Sequence, residues 1–439
     1  MKSKFSKVLS ILLSVVLVIS SFYLLHQVIR LNVLPSKFLF PLTIGVVVLD
    51  AIFILLLIYF SKNVVSKIVC IVLTLFICVA SCMGGYYISK TQNVLSSITN
   101  VAKHAKNTVS VIVKESSSIK NKSQLNGVSV GSLRLNEQGS KKALKELSGE
   151  GIVLNQTEYD SMTALLEAFY NGEVDSIIIN ESSRSQILDM EAYFDSNTRV
   201  VYQTSYKVKN NDSATSVSDI TSKPFNVLIS GSDTRGGFDE NGRSDVIMIA
   251  TVNPKTHTIL LTSVPRDFYV TTACDAGDGC MQGALDKITH TGIHGTNTTK
   301  RTVEQLLGIE INYTFKVGFD TVTELVDVLG GVDVYVEPGY ATTTSEFSVH
   351  EGVNHLNAQQ ALAFARERYS YTEGDRQRTK NQQQVLMGIV KEATKPSVIT
   401  NYAAIMDTMA NTFSTTMSNE EITDLIKYQL NNNPTWKME

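Results

Sequence analysis

Cysteine is scarce in this 439-residue chain, with five in all, and neither sign of charge dominates: 39 Lys and Arg face 42 Asp and Glu, for a net charge of −3. A chain this close to neutral, with a pI near 6.2, offers no general basic surface, which argues against nucleic acid as a partner. No GxxxxGK[ST] phosphate loop occurs, so one common route to phosphate chemistry is set aside. Cys70, Cys78 and Cys82 fall in one apolar stretch, where they pack as small apolar groups. Cys274 and Cys280 bracket a Gly- and Asp-rich segment, CDAGDGC. In an oxidising compartment that pair forms a short-loop disulfide; a metal reading lacks a companion Cys/His set at zinc spacing. His290 and His294 stand four apart, but Gly292 interrupts them and no Glu follows the first. A turn or acceptor-site role suits them better than zinc.

What the chain does have is a sharp division. Mean hydropathy is near zero, at +0.03, yet residues 8–25, 38–60 and 68–88 are almost continuously apolar, each close to the ~20 residues that cross ~30 Å of hydrocarbon as a helix. Three transmembrane helices are expected. A cleaved signal peptide competes for the first stretch, because Lys2, Lys4 and Lys7 precede it, but two more spans follow with no small-residue cleavage site. Lys2, Lys4, Lys7, Lys62 and Lys67 outweigh Arg30 and Lys37 of the intervening loop, which places the amino terminus in the cytoplasm. Everything after Lys90 is then extracellular. Asp50, in the second span, is either a functional charge or one turned toward a neighbouring helix.

After the spans, residues 91–209 alternate helix and strand patterns and read as a small α/β accessory domain. Residues 210–223, rich in Ser, Thr, Asn and Asp and followed by Pro224, have linker composition. Residues 224–439 then alternate strands (225–230, 246–252, 258–264, 313–317, 332–336) with helices (298–307, 320–329, and two or more beyond). This predicts an α/β domain with helices covering a central mixed sheet.

The arginines of this last domain are unevenly placed: all of those after Pro224 except Arg301 lie in residues 231–245, 263–270 and 365–384, each punctuated by aspartate. Guanidinium groups match phosphate oxygens through a planar fork of donors, although solvated faces with surface ion pairs have the same composition. Asp233 closely follows a strand and Asp245 lies at the start of another, where open α/β sheets place ligands. Two such carboxylates suit Mg²⁺ completed by phosphate and water, with capping or turn roles as the alternative. Arg366 and Arg368 follow an apolar-patterned helix that Asn357 can cap. Asp375, Arg378 and Gln382 head another helix at spacings that bring Arg378 and Gln382 to one face.

In GSD…RSD, PRD, the LGGVDV run, HLNAQQALAFARER and GDxxR followed by Gln382, the chain resembles the LytR-CpsA-Psr family over roughly residues 224–391. With three spans and an accessory domain, it most resembles the family's streptococcal capsule members. The resemblance implies transfer of an undecaprenyl-pyrophosphate-linked glycan, such as capsule or wall teichoic acid, to peptidoglycan, with Mg²⁺. It puts Asp233 and Asp245 at the metal, and Arg243, Arg266, Arg366, Arg368, Arg378 and Gln382 around the phosphates. Asp267 and Asp375 would orient arginines, and Asp245 or Asp267 would take the acceptor proton. Capsule export or assembly machinery is an implied partner. The family often has arginine immediately before the helix glutamine, whereas this chain has Asn381; Arg376 is the available compensation. Two other readings compete: a membrane sensor or regulator of capsule expression that binds polymer without turning it over, and a hydrolase of the same lipid pyrophosphate.

Overall fold

A computed structural model describes residues 2–60, 63–99, 104–209, 211–233, 240–275, 279–393, 404–405, 407–410 and 413–438. Three helices long and apolar enough to cross a membrane come first: α1 (Lys2–Leu31), α2 (Ser36–Leu55) and α3 (Val64–Thr99). Their outward faces carry large apolar side chains such as Phe22, Phe40 and Phe76, each about two-thirds exposed or more, as lipid contact requires. α1 and α3 pack closely at Gly85, where a Cβ would lie 2.4 Å from the Tyr23 ring. Asp50 finds a partner within the bundle, accepting a hydrogen bond of 2.9 Å from Ser21 Oγ.

α3 runs on past the apolar stretch, and its 36 residues span about 54 Å at 1.5 Å per residue. Its far end reaches the C-terminal domain: Lys90 pairs with Asp407 at 2.6 Å and Thr99 Oγ1 donates to Asn419 Oδ1. The α1–α2 turn meets that domain too, through Lys37 Nζ donating to the Asn431 carbonyl and Lys427 Nζ to Asn32 Oδ1.

The accessory domain is a five-stranded mixed sheet in the order β3-β2-β4-β1-β5. It comprises β1 (His104–Lys114), β2 (Ser129–Leu133), α4 (Glu137–Gly149), β3 (Asn155–Tyr159), α5 (Met162–Asn171), β4 (Ser176–Asn180), α6 (Arg184–Met190), the short α7 (Phe194–Asn197) and β5 (Thr198–Lys209). Apolar side chains fill both faces of its central strands; Val109, Val111, Ile112, Ile177 and Ile178 are fully buried, which is why β4 reads as a continuous apolar run. α5 is capped by the Ser161 side chain on Ala164 N–H and closed by Gly172 in the left-handed region.

The C-terminal domain is built on a six-stranded sheet in the order β16-β11-β6-β7-β8-β17. β6 (Phe225–Asp233), β7 (Arg243–Asn253) and β8 (Thr258–Ser263) form an antiparallel meander. β11 (Tyr313–Gly318) lies parallel to β6, and the edges are β16 (Phe413–Thr415) and β17 (Lys437–Met438). The long connection after β8 holds the hairpin β9 (Tyr269–Thr271) and β10 (Leu285–Lys287), then a 3₁₀ segment, Ile288–His294. Helices α8 (Thr296–Leu307) and α9 (Phe319–Leu329) flank the sheet. A satellite core forms where β12 (Val332–Val336) and β15 (Gly352–Leu356), with the small hairpin β13 (Thr342–Thr343) and β14 (Ser348–Val349), pack under α10 (Ala358–Arg366) and α11 (Asp375–Ala393). α12 (Asn419–Asn432) completes the domain. Cys274 and Cys280 are joined in a disulfide, and Asn357 caps α10 in a reciprocal box with Gln360.

Candidate functional site

The site forms where the start of β7, the turn after β8, the 3₁₀ segment and the start of α11 meet. Backbone hydrogen bonds from Thr289 N–H to the Arg266 carbonyl, 3.0 Å, and from Ile288 N–H to the Phe268 carbonyl, 2.8 Å, stitch the 3₁₀ segment to the β8 turn. Gly292 allows that segment to seat on β7, because a Cβ there would lie 2.5 Å from the Gly242 carbonyl oxygen and 2.4 Å from Ser244 Oγ. Beneath it, the buried hydroxyls of Ser230, Ser244, Thr299 and Thr291 form a hydrogen-bonded chain with links of 2.9–3.1 Å. α11 is tied to the end of β8 by Gln383 Nε2 donating to Ser263 Oγ at 3.0 Å.

At the centre is the Asp245 carboxylate. Arg266 Nη1 lies 2.9 Å from its Oδ1, Arg243 Nε lies 3.9 Å away, and Thr289 Oγ1 donates to the same oxygen at 3.0 Å. Asp245 is the extra residue of a bulge in β7, opposite the Gly231–Ser232 step, which re-aims its side chain toward the site. Asp375, at the start of α11, contacts the Arg378 guanidinium. The side chains of Arg243, Arg266 and Arg378 are 12%, 14% and 7% exposed, and each keeps a buried Nε–H that meets no acceptor. Neither Asp375 oxygen accepts a hydrogen bond.

The charges respond to one another across the cluster. Burial works against the Arg266 cation, but the negative charges of Asp245, Asp267 and Asp375 outweigh it and raise its pKa. Arg378 goes the other way: burial first, then the like charge of Arg266, lower its pKa despite Asp375 and Asp245. Burial thus disfavours its charged form even with Asp375 in contact. Asp267, against the pull of burial, is held below the usual carboxylate range by Arg266 and by Lys287, whose Nζ is 3.4 Å away.

Among the residues singled out in the sequence, Arg243, Asp245, Arg266, Asp267, Asp375 and Arg378 therefore share one neighbourhood. Arg368 is half-buried and close enough to lower the Arg378 pKa; its guanidinium stacks on Tyr369 at 4.7 Å and donates to the Tyr369 hydroxyl. Arg366, the last residue of α10, is exposed, and Gln382 sits half-buried one turn beyond Arg378. The Asp233 backbone pairs with Arg243 at the end of β6; its side chain and residues 234–239 lie outside the described residues.

Asn381, where the resemblance led one to look for arginine, is 1% exposed and ties two helices together. Its Nδ2 donates to the Phe364 carbonyl of α10 at 3.1 Å and its Oδ1 accepts from Gln377 at 2.9 Å. Arg376, the expected compensation, is exposed, because two residues along a helix rotate a side chain to the far side from Arg378. Thr289, Lys287 and Asp189 are site neighbours that sequence reasoning missed. Asp189, on α6 of the accessory domain, accepts from Arg243 Nη1 at 2.7 Å. Thr289 and Lys287 sit in the same LDKITHTGIHG stretch that carries His290, a signal read for its histidines alone.

Among the described residues no group of three His, Cys, Asp or Glu side chains could hold a metal ion. Mg²⁺ needs less from the protein, one or two carboxylates with phosphate and water, and the carboxylates of Asp245 and Asp375, which act on the same two arginines, are of the kind it takes.

Known proteins place the chain in context. The model of the LytR_cpsA_psr family matches residues 192–437. The chain is 33% identical over 207 residues to the polyisoprenyl-teichoic acid–peptidoglycan teichoic acid transferase TagU of Bacillus cereus (strain AH820), covering 47% of this chain and 65% of that protein. The TagU of Bacillus subtilis (strain 168) is 34% identical over 203 residues, 46% of this chain and 63% of that one. The chain thus spans just under two-thirds of the length of these relatives. A crystal structure of protein gbs0355 from Streptococcus agalactiae is 27% identical, covering 49% of this chain and 76% of its own, with a TM-score of 0.44. With more than half of its length matched by the family model, the chain belongs to the LytR_cpsA_psr family.

Proposed function

We propose that this chain is a membrane-anchored transferase that moves a glycan from a polyprenyl pyrophosphate carrier to peptidoglycan on the outer face of the membrane, forming a phosphodiester. The observation that carries the reading is the set of three buried Nε–H donors, on Arg243, Arg266 and Arg378, without an acceptor. Buried donors left unpaired are costly, and a pyrophosphate brings acceptor oxygens and negative charge to a cluster of buried cations.

In the proposed reaction the acceptor hydroxyl oxygen attacks the phosphorus bonded to the sugar. The bond from that phosphorus to the bridging oxygen breaks, polyprenyl phosphate leaves with the electron pair, and the hydroxyl proton passes to a carboxylate. Asp267 is the more open of the two to receive it at Oδ, being 42% exposed against 10% for Asp245. Asp245 is occupied in orienting Arg266 and Arg243. The guanidiniums offset charge building on the transferring phosphate and leaving group, help of the kind that dominates phosphoryl transfer. Asp245, with Asp233 or Asp375, would hold Mg²⁺, which would withdraw further charge from the pyrophosphate.

The carrier's lipid tail calls for a site near the bilayer. The contacts of α3 and the α1–α2 turn with the C-terminal domain favour that, and the lysine bias favours the outer face. The three spans and the accessory domain favour an anionic polymer such as capsular polysaccharide, with capsule assembly machinery as neighbour.

The test uses the full chain in detergent micelles with Mg²⁺ and a short-glycan polyprenyl pyrophosphate. Polyprenyl phosphate should be released, and mass spectrometry should find the glycan phosphate on an added peptidoglycan acceptor. Transfer only to water makes the protein a hydrolase. Tight donor binding with no turnover supports a sensor instead. Asp245→Ala and Arg366→Ala should each abolish release; unchanged turnover in both refutes the site.

A further inference from the structure

Between the accessory and C-terminal domains lies a cleft of about 630 Å³ that the reaction above does not use. Its size is that of sites which enclose small ligands. Arg134, Asp160 and Tyr206 contribute to one wall, and Leu285, Asp286 and His290 to the other. His290 is 8% exposed. Its Nδ1 lies 2.8 Å from Asp286 Oδ1, while its Nε2 is buried and has no partner. With Nδ1–H given to Asp286, Nε2 presents a lone pair that wants an O–H or N–H donor, and leaving it unmet is unfavourable.

Across the cleft, Arg134 Nη1 is held 2.7 Å from Asp160. Both signs of charge stand on the walls, so the cleft favours neither a polyanion nor a bare hydrocarbon. Side-chain amides and the apolar faces of Tyr206 and Leu285 complete a surface suited to hydroxyl-rich rings that also carry C–H faces. The cleft is continuous with the phosphate cluster: Asn241 lines both this cleft and the adjoining pocket that contains Arg243, and Thr289, next to His290, holds Asp245.

We propose that this cleft binds a neutral saccharide chain, with His290 Nε2 on one wall and Arg134 on the accessory-domain wall, and that the accessory domain is thereby part of the substrate site. The proposal rests on the glycan-transfer reading. The saccharide is either the acceptor's chain or the uncharged sugars nearest the donor's pyrophosphate, since both present hydroxyl-rich rings near the reacting phosphate.

The experiment titrates the full chain in detergent micelles with two probes, a β-1,4-linked N-acetylglucosamine tetrasaccharide for the acceptor and the free glycan of the donor. Saturation-transfer NMR and calorimetry read the binding. At least one probe should bind, and the one that does names the source. Arg134→Ala and His290→Phe should each weaken it roughly fivefold or more. Arg134 is largely exposed, 61%, so its variant folds even where His290→Phe does not. No binding of either probe, or binding untouched by Arg134→Ala, overturns the proposal. Polyprenyl phosphate release is measured in the same preparation. Release without saccharide binding overturns the cleft and leaves the transfer reading in place; saccharide binding without release does the reverse.

Discussion

Asp245→Asn removes one charge and keeps the shape of the side chain that Arg266, Arg243 and Thr289 surround. Breaking a buried ion pair from one side costs about 3–5 kcal/mol. Here the amide oxygen still accepts from Thr289 and Arg266, and Asp267 remains 3.8 Å from Arg266 Nε, so the cost falls just below that range, roughly 2–3 kcal/mol. For a domain of this size that is a fall of about 4–12 °C in melting temperature, read by scanning calorimetry on the full chain. Turnover should fall by about 10²–10³, the usual scale for losing one aligned electrostatic contributor. Inorganic pyrophosphate adds a discriminating readout. It should raise the melting temperature of the variant more than that of the parent, because it returns negative charge to guanidiniums that have lost theirs. A variant as stable and as active as the parent, or an equal response to pyrophosphate, refutes the account of Asp245 as the charge that organises the cluster.

Asp189→Asn should barely change stability, since its carboxylate is 47% exposed and such pairs contribute about 0–1 kcal/mol. It should lower the KM for the donor by releasing Arg243; a KM that stays or rises counts against competition between Asp189 and phosphate. The Asp267 pKa is depressed, so its contribution to stability is present above the ordinary carboxylate pKa and lost as pH falls through the lower folded value. Lys287→Ala removes one of the three cations responsible and should move that acid loss to higher pH, as followed by carboxyl-carbon NMR; an unmoved titration refutes the assignment. Asn381→Leu takes one of two donors from the Phe364 carbonyl and the acceptor from Gln377 Nε2, and should cost roughly 1–3 kcal/mol in urea unfolding. No loss of stability there would mean that the helices are held by packing alone.

The two kinds of information divide along physical lines. The three spans, the strands β4, β6, β7 and β8 and the helices α5, α8 and α9 were legible in the sequence, because apolar periodicity, continuous apolar runs and cap residues are local properties. β3 was not: its Asn155–Tyr159 residues are almost all exposed, so an edge strand held by backbone pairing leaves no apolar pattern. β5 was missed for a related reason, since its pairing with β1 joins residues about ninety positions apart.

In the C-terminal domain, composition alone pointed to arginines and aspartates in three separated segments. Only the tertiary structure decided which of them meet. It sent Arg376 outward, turned Asn381 into a buried tie between helices, and brought Thr289 and Lys287 into the cluster. It also set Asp189 of another domain against Arg243. The reason is that local pattern follows from the covalent spacing of side chains along a helix or strand, whereas the pairing of charges from distant segments depends on how sheets, turns and domains pack, which no short stretch of sequence records.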